Sequence, residues 1–327
     1  MAYLLSGDIG GTKTLLRLST VADEHTAVLQ KSFASAAYTG LAEIIDDFLA
    51  EAGTSDIVAA CFALAGPVNG RIVKLTNLPW VVEADEIARR FAISHVKLIN
   101  DFEAVGYGIA ALRPAELQLL QAGEEQVNGT RLVVGAGTGL GVAWLSWQEG
   151  HYQVHPSEAG HMDFAPLDEM QTMLLRYLHE SHEHVSYERI VSGPGLVAIC
   201  EFMRDTGLAV PSARLSAALK TEDAAAVITQ FAYREDEEIA RMTVDLFLSA
   251  YGAFVGNMAL VVLPHGGIYV AGGIAAKIAA QMQASVFMNA FLSKGRYAAM
   301  LSRLPVQIVL NTNVGLLGAG MVAQRHA

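Results

Sequence analysis

Two cysteines in 327 residues, Cys61 and Cys200, leave no disulfide framework and no cysteine-based zinc site. Both lie in apolar stretches, which fits a reducing cytoplasm. Basic residues are also few: 22 Lys and Arg against 33 Asp and Glu give a net charge of −11. That balance argues against a nucleic-acid partner, which selects a basic face. No basic run opens the chain, and Asp8 follows a few apolar residues, so a signal peptide is not expected. The most apolar long run, Leu246 to Leu263, contains Ser249, Gly252, Gly256 and Asn257 and is bordered by Asp245. It reads as a buried core helix rather than a membrane span. There is no Ser/Gly linker and no low-complexity segment. With 52% apolar and 17% charged residues, the chain can bury the cores of about two domains.

What is present is a repeated glycine turn. Tyr3-Leu4-Leu5 leads into Ser6-Gly7-Asp8-Ile9-Gly10-Gly11-Thr12-Lys13-Thr14, and a second apolar run follows. This predicts strand, turn, strand. Glycines permit positive φ and leave no Cβ in the way, so several N–H groups and the Thr12 hydroxyl can face a phosphate. Asp8, at the strand end, can face a hydrated Mg²⁺. The spacing matches neither G-x-x-x-x-G-K-[ST] nor G-x-G-x-x-G. The alternative is an ordinary tight hairpin.

A second copy lies at Arg131 to Leu145, around Gly135-Ala136-Gly137-Thr138-Gly139-Leu140-Gly141. Two copies of one device predict a duplicated fold with two lobes facing one nucleotide. A third turn, Ala271-Gly272-Gly273-Ile274, ends a buried strand and would let adenosine lie flat on backbone. The order of these three turns resembles that of the sugar kinase, actin and heat-shock ATPase superfamily. The expectation is therefore an α/β, two-lobed actin-like ATPase fold, a duplicated ribonuclease H-like unit with a cleft between lobes.

Along the chain, residues 3–33 predict three strands with a turn at Asp23-Glu24. Leu41 to Leu49 shows helical spacing, with Thr39 as cap and Gly53 as stop. Ile57 to Leu64 is an apolar strand, Arg71 to Leu75 another, and Glu86 to Phe91 a short helix. Val96 to Ile99 is a strand that delivers Asn100 and Asp101 to a helix start. Residues 166–264 predict mainly helix, Val306 to Leu310 a late strand, and Gly315 to Gln324 a closely packed small-residue helix. Pro114 and the polar segment 123–130 fit a crossing. The expected division is a small domain, 1–111 plus 302–327, and a large one, 112–301.

Three constellations carry chemistry. Asn100-Asp101 sits where ligands collect in open α/β sheets. A carboxylate there can take a proton from an attacking hydroxyl; the alternative is that both residues simply cap the helix. His155 to Phe164 places Glu158 and His161 three apart in an irregular segment, suited to vicinal hydroxyls, or else a solvated loop, with metal binding a third reading. Glu188 precedes a Gly-rich helix start and otherwise reads as a surface or capping carboxylate. His179, His182 and His184 read as a solvated helix end ahead of a metal site. Trp80 could floor a sugar, or else fill the core or pack between lobes.

Taken together, these stretches resemble the bacterial glucokinase family of the type without a zinc motif. The carriers are Gly7–Thr12, Thr76-Asn77 with Trp80, Ile99–Phe102, Gly135–Gly141, Glu158–Pro166, Glu188–Gly195, Ala271–Ile274 and Asn313–Gly318. The broader ROK group follows Glu-x-Gly-His with a cysteine-rich zinc motif; here Met162-Asp163-Phe164 follows, with no cysteine nearby. The resemblance implies ATP-dependent phosphorylation of glucose at its 6-hydroxyl, with Asp101 as base. Asn100, Asp101, Glu158, His161 and Glu188 would hold the sugar. Gly7, Asp8, Ile9, Gly10, Gly11 and Thr12, with Gly137 and Thr138, would hold phosphates, Mg²⁺ between them, and Gly272 and Gly273 the adenosine. It also implies a homodimer. The competing functions are a hexose kinase for mannose or glucosamine, a sugar-sensing regulator, and a filament or chaperone ATPase.

Overall fold

Three strands joined by tight turns open the chain in the computed structural model, which describes residues 2–54, 56–75, 77–283 and 286–327, with backbone alone at Glu24 and His25. Thr76, one carrier of the family resemblance, lies outside the described residues. The first strands are β1 (Tyr3–Ile9), β2 (Lys13–Thr20) and β3 (Asp23–Ala34). Their second turn falls at Val21-Ala22, two residues earlier than expected, because Asp23 already pairs with Thr20. Helix α1 (Leu41–Ala52) buries Leu41, Ile44, Ile45 and Phe48, as its spacing requires. Thr39 donates to the Glu43 carboxylate through both its N–H (2.9 Å) and its hydroxyl (2.6 Å), and Gly53 ends the helix at φ 65°.

Next come β4 (Ile57–Leu64), β5 (Ile72–Lys74), β6 (Val81–Glu83), α2 (Ala84–Phe91), β7 (His95–Asn100) and α3 (Asp101–Gly108). The first sheet has order β3-β2-β1-β4-β7, with β1, β4 and β7 mutually parallel. β4 faces core on both sides: Ile57, Ala60, Phe62 and Leu64 join one apolar cluster, and Ala59, Cys61 and Ala63 the other. This is why it reads as an unbroken apolar run. Trp80 is 2% exposed inside the first cluster, so it fills core rather than flooring a ligand.

The second sheet is built from β8 (Leu117–Gln121), β9 (Arg131–Ala136), β10 (Leu140–Gln148), β11 (His151–Ser157), β12 (Ile268–Ala271) and β13 (Val306–Val309), in the order β11-β10-β9-β12-β13-β8. Its first five positions repeat the plan of the first sheet: an antiparallel run, then parallel partners. β8 is the addition. Its glutamines are anchored, Gln118 Nε2 donating to Ala279 O (2.7 Å) and Gln121 Nε2 to Leu304 O (2.7 Å).

Helices α4 (Glu169–His179), α5 (Gly193–Asp205), α6 (Ala213–Thr221), α7 (Ala224–Arg234) and α8 (Glu238–Val262) pack with this sheet into one large apolar cluster. Short helices α9 (Gly273–Lys277), α10 (Ala279–Met282), α11 (Val286–Leu292) and α12 (Ala298–Leu301) follow. Among the described residues α8 alone is long and apolar enough to cross a membrane, and 72% of its most apolar window is buried within the protein. The polar residues that interrupt it have partners: Ser249 accepts from Gln171 (3.0 Å) and Asn257 donates to Tyr187 (3.0 Å). Gly256 lets the α11 backbone approach; a Cβ there would stand 2.6 Å from Phe291 O.

The closing helix α13 (Val314–Gln324) lies against α3. A Cβ at Gly318 would overlap Ala104 O, and one at Gly108 would overlap Val314 O, so this contact is backbone to backbone. The chain divides into unit 1 (Met1–Pro114, Val154–Pro156, Asn311–Ala327) and unit 2 (Ala115–Gln153, Ser157–Leu310). The return to unit 1 therefore comes at Asn311 instead of near 302. The reason is β13, whose hydrogen bonds go to β12 and β8 of the second sheet.

Candidate active site

In unit 1 the first glycine turn closes the β1–β2 hairpin, with Gly10 N donating to Lys13 O at 3.0 Å. Ser35 holds it from behind. Its hydroxyl donates to Gly10 O (2.8 Å), its N–H donates to Thr12 O (3.1 Å), and Thr14 Oγ1 lies 3.0 Å away. A Cβ at Gly11 would stand 2.8 Å from the Asn77 Cβ, so that bare face is required. The two ends of the motif differ in role. Gly7 lies inside β1, where a Cβ would meet Phe62 Cδ1 at 2.7 Å, and the Ile9 side chain is buried core. Thr12 and Lys13 are exposed, and Gly10 and Gly11 half-exposed.

Asp8 is half-buried beside this turn. Burial pushes its carboxyl above the usual aspartate range, and the Lys13 ammonium only partly offsets this. Asp8 registers with Ala63 on β4, and Ala63 with Ile99 on β7. Two strand spacings, about 10 Å, therefore separate Asp8 from the β7 end that delivers Asn100 and Asp101. The start of α13 closes the same edge: a Cβ at Gly315 would stand 3.9 Å from both Asp8 Oδ2 and Asp101 O.

Asn100 caps α3. Its Oδ1 accepts from Phe102 N (2.8 Å) and Glu103 N (3.1 Å), and its Nδ2 donates to Gly66 O (2.9 Å). One amide hydrogen of Nδ2 remains beyond these bonds. Asp101 is half-exposed, and its Oδ1 accepts from Phe102 N at 2.9 Å. Capping and partial exposure thus coexist at this strand end.

In unit 2 the second turn is held from four directions. Gly137 N donates to Gly139 O (2.8 Å), and Gly193 N, at the start of α5, donates to Gly137 O (2.8 Å). Leu140 N donates to Glu188 Oε2 at 2.8 Å. A Cβ at Gly160 would overlap Leu140 O, and one at Gly272, where φ is 90°, would overlap Ala136 O. Behind the strand end, the Tyr251 hydroxyl of α8 accepts from Ala136 N (3.2 Å) and donates to Val134 O (3.3 Å).

Beside this turn lies a cavity of about 470 Å³, lined by Gly137, Thr138, Gly193, Asp223, Gly273, Ile274 and Lys277 among others. Its size suits a nucleoside. Three of the residues expected at the nucleotide, Gly137, Thr138 and Gly273, meet here. Asp223, Ala224, Thr229 and Lys277 were not anticipated. The available signal was Asp223 before three alanines, a helix-start pattern; Asp223 does cap α7, accepting from Ala225 N at 3.1 Å.

Glu188 and His161 meet although 27 positions separate them. Phe164 N donates to Val185 O (2.9 Å) and Tyr187 N to Met162 O (3.0 Å), stitching the two loops together. His161 Nε2 then lies 4.0 Å from Glu188 Oε1. Both line a polar cavity of about 430 Å³ with His182, His184, Ser186 and Arg189. Glu158 is exposed at the head of the short turn Ala159–His161, with His161 N donating to its backbone carbonyl (3.0 Å). Of the histidine run, His184 pairs with Asp163 (2.8 Å) and His179 Nδ1 lies 3.3 Å from the His182 carbonyl oxygen. Among the described residues no group of His, Cys, Asp and Glu is arranged to hold a metal ion.

Two sheets of one design, each carrying a Gly/Thr turn in its opening hairpin, define the actin-like ATPase fold class. A glucokinase family model matches residues 5–326. A glucokinase of Trichormus variabilis is 43% identical, over 99% of this chain and 100% of its own. The crystal structure of a glucokinase from an Antarctic psychrotroph superposes with a TM-score of 0.82 at 28% identity, covering 99% of each chain. A ROK-family glucokinase of Streptomyces griseus, solved with glucose and AMPPNP, shares the fold at a TM-score of 0.67, with 20% identity and 99% of each chain covered. The chain belongs to the glucokinase family, in its bacterial type outside the ROK group, and phosphorylates glucose with ATP.

Proposed function

We propose that Asp101 is the general base in an in-line transfer of the γ-phosphoryl group of ATP to the 6-hydroxyl of glucose. The observation that carries this is the shared strand edge of unit 1, where Asp8 and the Asn100-Asp101 pair stand two strands apart beside an exposed Gly/Thr turn. The Asp101 carboxylate takes the hydroxyl proton as that oxygen bonds to phosphorus and the bond to the ADP oxygen breaks. The remaining Asn100 amide hydrogen, Glu158, His161 and Glu188 would hold the other hydroxyls, and a site built on such bonds discriminates against sugars that lack one.

Backbone N–H groups of Gly10–Thr12 and of Gly137-Thr138, with the two threonine hydroxyls, would hold the phosphates. The adenosine would lie in the cavity by Gly193 and Gly273. A half-buried carboxylate whose charge is poorly compensated fits a divalent cation, and this describes Asp8. Mg²⁺ held there would neutralise charge on the β- and γ-phosphates. We place the enzyme in the cytoplasm, where buried thiols such as Cys61 and Cys200 stay reduced. A homodimer rests on the family resemblance.

The test is Asp101→Ala. Turnover in a coupled assay should fall by at least about 10², the lower end of what a positioned base contributes. Glucose affinity by calorimetry should remain within a few-fold. Near-normal turnover would contradict the assignment.

A further inference from the structure

Glu188 has two oxygens with two different neighbours. Oε1 faces His161 at 4.0 Å, on the polar cavity. Oε2 accepts the Leu140 N–H at 2.8 Å, one residue beyond Gly137-Thr138-Gly139. No side chain fits between: a Cβ at Gly139 would overlap Oε2. The residue is also fixed from its own backbone, because the Ser192 hydroxyl donates to Glu188 O at 2.7 Å while capping α5, whose Gly193 N–H holds Gly137 O. One carboxylate thus touches both the sugar-side cavity and the turn that borders the nucleoside-sized cavity.

We propose that Glu188 is a positioning residue that couples glucose binding to nucleotide binding within unit 2, through its hydrogen bond to Leu140 N. The inference rests on the placement of Glu188 at the sugar. Sugar hydroxyls donating to Oε1 hold the carboxylate in the rotamer that accepts from Leu140 N. They also disperse a negative charge that would otherwise oppose phosphate at Gly137-Thr138. Ordering the turn and dispersing the charge act in the same direction, so glucose tightens nucleotide binding. Linkage requires that the nucleotide tighten glucose by the same factor.

The experiment measures dissociation constants of AMPPNP, with Mg²⁺, by calorimetry on the full chain, with and without saturating glucose, and of glucose with and without AMPPNP. For the unaltered chain the coupling factor should be at least about fivefold in both arms. Gly139→Ala, whose Cβ displaces Oε2 and turns the carboxylate away from Leu140 N, should bring the factor to within about twofold of one, with Tm lowered by a few degrees but the chain still folded at the assay temperature. Glu188→Gln keeps an oxygen for Leu140 N and should retain a factor above about threefold. In a Glu188→Ala background, Gly139→Ala should change the AMPPNP constant by less than about twofold, since both act through one bond. A Gly139→Ala enzyme that couples like the unaltered chain, an unaltered chain with no coupling, or additive losses in the double variant would each overturn the inference. The sugar placement is read separately: a glucose constant unchanged in Glu188→Ala would remove Glu188 from the sugar, whatever the coupling factors show.

Discussion

The two glycine turns come from one structural plan and are held in place by different means. The first, around Gly10–Thr12, depends on its own hairpin and on one hydroxyl, Ser35, behind it. The second, around Gly137–Gly139, is gripped by a carboxylate, the start of α5 and two backbone approaches at Gly160 and Gly272. Duplication supplies the turn; the surroundings decide how rigid it is. The first turn keeps two exposed residues, Thr12 and Lys13, next to an under-compensated Asp8, which suits a site that takes up a mobile cation and phosphate. The second is tied into the core through Tyr251, which suits a fixed wall for the nucleoside.

This contrast can be broken most forcefully at Asp8. Asp8→Asn should lower kcat/KM by about 10–100-fold, the range typical for a residue that supports a metal. It should also raise thermal stability at neutral pH. The Asp8 pKa is raised in the folded protein, so its ionisation opposes folding, and stability is lost as pH rises from the unfolded value through the folded one. The stability gain of the variant should therefore vanish below about pH 4, the ordinary range of an aspartate. An Asp8→Asn protein less stable than the parent at pH 7 would contradict the electrostatics described for the first turn.

A smaller effect compares the glycines. Gly160→Ala drives a Cβ into Leu140 O, and overpacking of that kind costs about 1–3 kcal/mol. At about 2–4 °C per kcal/mol, melting should fall by roughly 2–12 °C. Gly10→Ala meets Lys13 O at 3.0 Å and should shift melting by less than either limit suggests, about 2 °C or under. Equal losses at the two positions would erase the claimed difference in rigidity. A further modest effect is at Ser35. Ser35→Ala removes the bond to Gly10 O, worth about 1 kcal/mol. It should raise KM for ATP with KM for glucose unchanged; a change confined to glucose would place Ser35 elsewhere in the mechanism.

The turns, the apolar strand β4 and the Asn100-Asp101 strand end were legible because each depends on local rules: bare backbone at glycine, burial on both faces, a cap at a helix start. β8 was not. Leu-Gln-Leu-Leu-Gln is short, and its two anchoring glutamines find carbonyls more than 160 positions away. The unit boundary shifted for the same reason, since only pairing assigns β13 to the second sheet. Trp80 read equally as ligand floor or core until its neighbours were known. The α7 lining of the nucleoside-sized cavity had a cap signal but nothing local to connect it with Gly137, some 86 positions earlier.

Residue order alone determined the repeated strand-turn-strand device, the acidic strand end and the family, because these are written in short windows where backbone freedom and side-chain type act locally. Tertiary structure decided which oxygen of Glu188 meets which partner, where the nucleoside-sized cavity opens, and that burial raises the Asp8 pKa by more than Lys13 lowers it. Those outcomes depend on distances between segments far apart in the chain, and on the water that packing removes, neither of which a local pattern encodes.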